Sequence, residues 1–258
     1  MSAQPRSAGA RPVTGRLFRP AADRFHSQLD WLDSWHTFSF ASHVDPAWMG
    51  FGPLRVINDD TIAAGRGFGM HPHRDMEIIT VMVEGQLNHH DSMGHCAVLR
   101  AGEVQRMSAG RGIVHSEINE GDQPCRLLQI WIEPDTLDLP PAYEQKPFPA
   151  LEGWTALIDP VASGGAMAIH RSVCLWRGRA AAGQTLTPPA PAARRMWIQM
   201  VTGDLLPRFA EDAAASDGEA MVLRRGDGLG LTLAPGSPAI QELTAGPGGA
   251  DLLWFALS

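Results

Sequence analysis

Glycine and proline interrupt this chain throughout, and the apolar runs between them are strand-length. In the first half these are LRVIN (54–58), EIITVMVEG (77–85), CAVLRAG (96–102), EVQRMSAG (103–110) and CRLLQIWIEP (125–134). The second half gives AMAIHRSVCLWRG (166–178), RMWIQMVTG (195–203), EAMVLRRG (219–226), LGLTLAPG (229–236) and DLLWFAL (251–257). Each is partly β-branched or aromatic, and no long amphipathic helical pattern is evident. Many short strands separated by turn signals predict an all-β sandwich or barrel. The 258 residues are long for one small domain and comfortable for two, and 44% hydrophobic against 19% charged residues predicts packed cores.

An internal echo points to duplication. VLRAGE (98–103) returns as VLRRGD (222–227), and VEGQL (83–87) as VTGDL (201–205), in the same order and at nearly the same spacing. The expectation is two stacked jelly-roll-like β-barrels: a flexible leader over 1–20, a first barrel over 21–134, a linker over 135–160 and a second barrel over 161–258. The linker is read from PDTLDLPPAYEQKPFPALEG (134–153), which carries five prolines.

Charge and cysteine content exclude several classes. A formal charge of -7 argues against nucleic acid or an anionic membrane as partner. Lys146 is the only lysine, so Schiff-base chemistry has a single candidate, in a Pro-flanked segment. Cys96, Cys125 and Cys174 are odd in number and far apart, which predicts neither a disulfide framework nor a thiolate zinc site. No apolar run approaches the roughly 18 residues of a membrane helix, and the start lacks a secretory h-region. A cytoplasmic monomer is expected.

Histidine carries the chemistry. Nine of the 10 lie at or before His115, and only His170 comes later. GRGFGMHPHRDMEIITVMVEG (65–85) holds the pair His71 and His73, and GEVQRMSAGRGIVHSEIN (102–119) holds His115 and Glu117. On a strand, residues i and i+2 project from one face, so each pair aims two ligands in one direction. Glycines 65, 67, 69, 110 and 112 are expected to form tight turns before the pairs. Glu77 shares the parity of 71, 73 and 75, so spacing leaves the carboxylate open between Glu77 and Glu117. Three imidazoles and a carboxylate suit Fe, Mn, Ni, Co, Cu or Zn better than Ca or Mg. Aligning VEGQL on VTGDL sets Pro189 and Pro191 opposite His71 and His73, so metal is expected only in the first barrel.

These segments resemble a known family. HPHRDMEIITVMVEG, LNHHDSMGH and AGEVQRMSAGRGIVHSEIN are similar to the pirins, within the cupin superfamily. DSWHTFSFA (33–41), MGFGPLRVIND (49–59) and YEQKPF (143–148) resemble the bacterial quercetinase-type branch. The general cupin pattern G-x5-HxH-x3-E is met by Gly65, His71, His73 and Glu77, although the following glycine comes one residue late. In the second cupin pattern Ser108 stands where many members have Pro, and Gly110, His115 and Asn119 fit with one extra residue. The resemblance covers roughly residues 20 to 258. It implies a bicupin whose metal ligands are His71, His73, His115 and Glu117, with Glu77 as a neighbour and iron as the usual metal.

The activity implied is an Fe(II)-dependent cleavage of a flavonol such as quercetin by dioxygen, releasing carbon monoxide and a depside. Glu117 would accept the 3-hydroxyl proton as a labile ligand. The alternative is an iron-binding, redox-sensitive regulatory protein acting through a protein partner. A zinc or nickel cupin with isomerase or hydrolase chemistry is a third reading. Other side chains take plainer roles. At most one of His89 and His90 approaches the site, and both, with His95, are expected at the surface or beside the ligands. His36 and His43 are expected to be ordinary hydrogen-bonded histidines, and Met70, Met76, Met82 and Met107 to be packing. The eight tryptophans read as core and inter-barrel packing. Arg111 either orients an anionic substrate or forms a salt bridge in a turn.

Overall fold

The computed structural model describes residues 15–189, 193–209, 221–232 and 240–258. The first stretch of chain forms β1 (Gly15–Arg19), β2 (Phe25–Gln28), β3 (Leu32–His36), β4 (Leu54–Ile62), β5 (Arg66–His73) and β6 (Glu77–Glu84). It continues with β7 (Gln86–Asp91), β8 (Cys96–Arg100), β9 (Glu103–Ser108), β10 (Ile113–Asn119), β11 (Cys125–Ile132) and β12 (Ala142–Pro147). The rest forms β13 (Gly153–Asp159), β14 (Met167–Ala168), β15 (Val173–Ala180) and β16 (Thr185–Leu186). It ends with β17 (Arg195–Phe209), β18 (Leu223–Arg224), β19 (Gly228–Thr232) and β20 (Ile240–Leu257). Among the described residues the only helices are three-residue turns.

Two long sheets repeat one strand order. The first runs β12-β9-β6-β11-β4-β3-β2 and the second β1-β19-β17-β20-β15-β13-β14. A smaller sheet, β5-β10-β7-β8, covers the inner face of the first and completes that barrel. In the second half β17 and β20 are long enough to bend through both layers, with β16 and β18 attached to them. The result is two stacked jelly rolls of cupin type.

The glycines of the echo show why the motifs recur. Gly85 and Gly203 sit at φ +72° and +73°, and Gly102 and Gly226 both at +85°. Only glycine enters that region without strain, so each pair marks the same turn in both halves. The turn at Gly85 separates β6 from β7, whereas Gly203 only bends the continuous β17.

The chain is laced across the halves more closely than the expected boundaries suggest. Segment 135–160 is no free linker: it supplies β12 to the first long sheet and β13 to the second. β12 is an edge strand that ends at Pro147, a position where a missing N–H is tolerated. The C-terminal part of the expected leader forms β1, which pairs with β19 from Gly15↔Thr232 to Arg19↔Gly228. Each half thus takes an edge strand from outside its expected span. Residues before Gly15, and 219–220 and 233–236 of two expected strands, lie outside the described residues.

The two long sheets share one core. Ile57, Ile79, Val81, Leu128 and Ile130 pack with Leu157, Val173, Leu175, Trp197, Leu253 and Phe255. A fully buried side chain of this size contributes about 1.5–3 kcal/mol, so this seam holds the halves as one body. Arg126 reinforces it: buried, it donates to both Asp59 carboxylate oxygens at 2.8 and 3.0 Å and to the Val201 carbonyl at 3.0 Å. The interior of the second barrel is apolar, filled by Met196, Ile198, Leu205, Phe209, Leu229 and Trp254 among others.

Candidate metal centre

β5 and β10 lie antiparallel in the small sheet, with His71 opposite His115 and Ile113 opposite His73. The register shifts after this pair, so that Glu117 faces Phe68. β5 therefore spends one more residue than β10 between the pairs, a bulge beside the site. The bulge leaves the Gly69 carbonyl free to accept from His71 Nδ1 at 2.7 Å. Gly65, Gly110 and Gly112 have positive φ, as expected of turns, but Gly67 and Gly69 lie inside β5. Gly67 is needed for proximity, because a Cβ there would come 2.2 Å from the Glu117 carbonyl oxygen.

One ligand atom from each of His71, His73 and His115 falls within 4.8 Å of the others. A carbonyl can only accept, so the Gly69 contact puts the proton of His71 on Nδ1 and leaves a lone pair on Nε2. That nitrogen lies 3.0 Å from His115 Nε2. Two imidazole nitrogens each about 2.1 Å from one ion and about 90° apart are separated by about 3.0 Å, so the spacing fits a shared cation. Burial, together with the neighbouring imidazoles, pushes His73 down to about 4 and His115 down to about 2. Both rings are held neutral, the form that binds metal. The His73 ring also meets Trp131 edge-on at 4.9 Å.

Glu117 is buried, and its carboxylate belongs to a second group with His89 and His115, again within 4.8 Å. It accepts from Gln129 Nε2 at 2.7 Å and from Thr80 Oγ1 and Gln105 Nε2 at 3.3 Å each. Burial pushes its pKa up to about 7, against the pull of these three donors. The four residues expected as ligands therefore do not form one tight group: three imidazoles converge, and Glu117 is tethered beside His115 by the opposite sheet.

Glu77 is placed elsewhere. Asp75 adopts φ +50° between β5 and β6, which breaks the parity that linked 71, 73 and 77. Glu77 accepts from Ser108 Oγ at 2.8 Å and meets His170 Nδ1 of the second half at 3.1 Å. It joins the halves and does not face the imidazoles.

His89 is buried beside His115, 1% exposed with the ring centroids 5.3 Å apart, whereas His90 is exposed. Its contacts depend on β7 pairing with β10, so LNHHD alone carried only its alternation. His95 stacks on Tyr143 at the rim. His36 is buried, bonded to Asn58 at 2.8 Å and Ser27 at 2.9 Å, and His43 meets the same Ser27 hydroxyl. Met82 and Met107 are core, whereas Met70 is exposed. Arg111 is exposed and lines a groove of about 380 Å³ with Pro72, His73, Arg74, Ser92 and Val114. Both candidate groups found among the described residues lie in the first half. Pro189 is described; Pro191 lies outside the described residues.

A double jelly roll whose first barrel gathers neutral imidazoles and a buried carboxylate defines a cupin-type protein. The comparisons narrow that class. The pirin family model matches residues 19–132. A quercetin 2,3-dioxygenase of Escherichia coli (strain K12) is 46% identical over 204 residues, 79% of this chain and 88% of that protein. The crystal structure of YhhW from Escherichia coli matches with TM-score 0.83 and 39% identity, covering 95% of this chain and 98% of that one. Bacterial pirin YhhW in complex with nickel(II) matches with TM-score 0.82 and 39% identity, covering 94% and 99%. This chain belongs to the pirin family. No helix among its described residues is long and apolar enough to cross a membrane.

Proposed function

We propose that this pirin is a metal-dependent dioxygenase that cleaves a flavonol such as quercetin. The observation that carries the reading is the convergence of His71, His73 and His115 beside a buried carboxylate, in a chain similar to a quercetin 2,3-dioxygenase over most of both lengths. His71, His73, His115 and Glu117 are the proposed ligands and Fe(II) the proposed metal; the nickel(II) held by the related bacterial pirin fits the same nitrogen-rich donor set. When bound, the metal supplies Lewis acidity toward the 3-hydroxyl/4-keto edge of the substrate and a path for electrons to dioxygen.

The protein's own groups have distinct tasks. Gly69 fixes the His71 ring, and Trp131 abuts His73, so the imidazoles are oriented before metal arrives. Glu117, pushed up to about 7, can exchange a proton near neutral pH and so accept the one leaving the 3-hydroxyl. Gln129, Thr80 and Gln105 hold its carboxylate in place before and after that transfer. The groove beside His73 and Arg111 offers an approach for an aromatic substrate.

The test is oxygen uptake with quercetin by Fe(II)-reconstituted protein, with His115→Ala in parallel. Uptake in the parent and none in the variant is expected. Absence of uptake by fully metal-loaded protein overturns the reading and favours a regulatory protein.

A further inference from the structure

Arg111 is pinned by its backbone and left unpaired at its side chain. Its N–H donates to the Leu139 carbonyl at 2.8 Å, and its own carbonyl accepts from Arg74 Nη1 at 3.3 Å. The preceding Gly110 carbonyl accepts from the Asp75 N–H at 2.8 Å. A Cβ at Gly110 would come 1.9 Å from the Leu139 carbonyl oxygen, so glycine is what lets this loop close on residue 139. The Arg111 guanidinium is exposed and pairs with no carboxylate among the described residues, in a chain of formal charge -7. Arg74 beside it is, by contrast, paired with Asp75 at 3.3 Å and with Asp138.

The free guanidinium borders the groove of about 380 Å³ that also takes in His73 of the imidazole group. That volume lies at the lower end of the roughly 300–1,000 Å³ of small-molecule sites and suits one substituted ring. Its floor is apolar: Pro72 of β5 and Val114 of β10 are cross-strand neighbours, both exposed. At its border Ser92 Oγ accepts from the Val114 N–H at 3.2 Å and keeps its own O–H to donate. No aspartate or glutamate lines the groove. An apolar floor with an unpaired guanidinium and a hydroxyl at its edge is complementary to a flat ring that carries an anion. The planar fork of arginine matches a carboxylate with two parallel hydrogen bonds.

We propose that this groove is a binding site for an aromatic carboxylate, with Arg111 selecting the charge and Pro72 and Val114 receiving the ring. The proposal deepens the reading of the groove as the approach of an aromatic substrate, and rests on that reading only for its link to turnover. Binding itself needs neither metal nor dioxygen. It also decides between the two roles open to Arg111 in the sequence, because the salt bridges at this turn fall to Arg74.

The experiment titrates the full chain, metal-free and Ni(II)-loaded, with 2-aminobenzoate and with its uncharged counterpart 2-aminobenzamide, read by calorimetry. The carboxylate should bind in both forms of the protein, and the amide about 10–100-fold more weakly, the usual worth of a hydrogen bond to a charged group. Arg111→Gln should weaken carboxylate binding by a similar factor and leave the amide unchanged. Arg111→Lys keeps the charge, loses the fork and should fall between. Val114→Glu, on the exposed floor, should repel the carboxylate while the melting temperature stays near that of the parent. Absence of carboxylate binding at millimolar concentration, equal binding of the two probes, or parent-like carboxylate binding by Arg111→Gln overturns the proposal. So does binding that appears only with Ni(II), which would put the carboxylate on the ion. Oxygen uptake with quercetin but no charge preference removes this inference and leaves the dioxygenase. The charge preference without uptake does the reverse.

Discussion

One row of cross-strand neighbours crosses each long sheet, and its chemistry inverts between the halves. In the first it reads His36, Asn58, Gln129, Thr80, Gln105 and Gln145 across β3, β4, β11, β6, β9 and β12. In the second it reads Ala156, Trp176, Trp254, Ile198, Leu229 and Phe18 across β13, β15, β20, β17, β19 and β1. The backbone register is the same, yet every polar position has an apolar counterpart. The polar row supplies the three donors that tether Glu117. Of its counterpart, Trp176, Trp254, Ile198 and Leu229 pack into the core of the second barrel. The partner sheet diverges in step: β5 has eight residues and carries His71 and His73, whereas β16 has two, Thr185 and Leu186. A duplicated scaffold can therefore give one barrel a reactive interior and let the other serve as packing, because the fold constrains the strands and leaves the inward residues to choose.

The largest effect that tests this comparison is expected at the imidazoles. His115→Ala should lose bound metal, measured as metal content after loading and desalting, while the fold persists by circular dichroism. Retained metal would detach the site from the first barrel's imidazoles. Next is the tie between halves. Arg126→Ala removes the bidentate partner of buried Asp59, leaves it only Arg24 at 3.7 Å, and should lower stability by about 1–3 kcal/mol in denaturant unfolding. A loss under 1 kcal/mol would mean that the apolar seam alone holds the barrels together.

Exchanging residues between the two rows sharpens the contrast. Ile198→Thr puts a hydroxyl among apolar side chains and should cost about 1–3 kcal/mol without altering metal content. Thr80→Ile removes a donor to Glu117 and should weaken metal binding. Equal effects of the two exchanges on metal affinity would contradict the division of labour.

Proton release upon metal binding is a finer test. Glu117 is pushed up from 4.5 to about 7, so its protonated form is favoured by the metal-free fold. That stabilisation is whole below about pH 4.5 and is lost as pH rises through about 7. Ligation by the carboxylate expels the proton, so metal uptake at pH 6 should release one and at pH 8 almost none. Calorimetry in buffers of different ionisation enthalpy reads the difference, and Glu117→Gln should abolish it. The smallest effect is expected at the seam: His170 is half-exposed, so His170→Ala should shift stability by under about 1 kcal/mol and leave metal content unchanged. Loss of metal there would return Glu77 to the site.

Much of this was legible in the chain. The i, i+2 spacing of His71 and His73, and of His115 and Glu117, sets each pair on one face wherever a strand forms, and the paired glycines of VEG and VTG, and of RAG and RRG, announce the repeated turns. Glu77 was ambiguous because counting by twos assumes an unbroken strand, and Asp75 at φ +50° breaks it. The Pro-rich stretch read as a linker because prolines at strand ends look the same as prolines in a loop. β1 was invisible because its partner lies more than two hundred residues away, at Gly15↔Thr232.

The sequence by itself determined the all-β class, the duplication and the candidate imidazoles, since strand periodicity and turn chemistry act over a few residues. Only the tertiary structure decided that Glu117 rests on a row of donors from another sheet, that Glu77 faces the second half and that His89 stands buried beside the centre. Those outcomes depend on which strands become neighbours, and long-range pairing places side chains together that no local spacing relates.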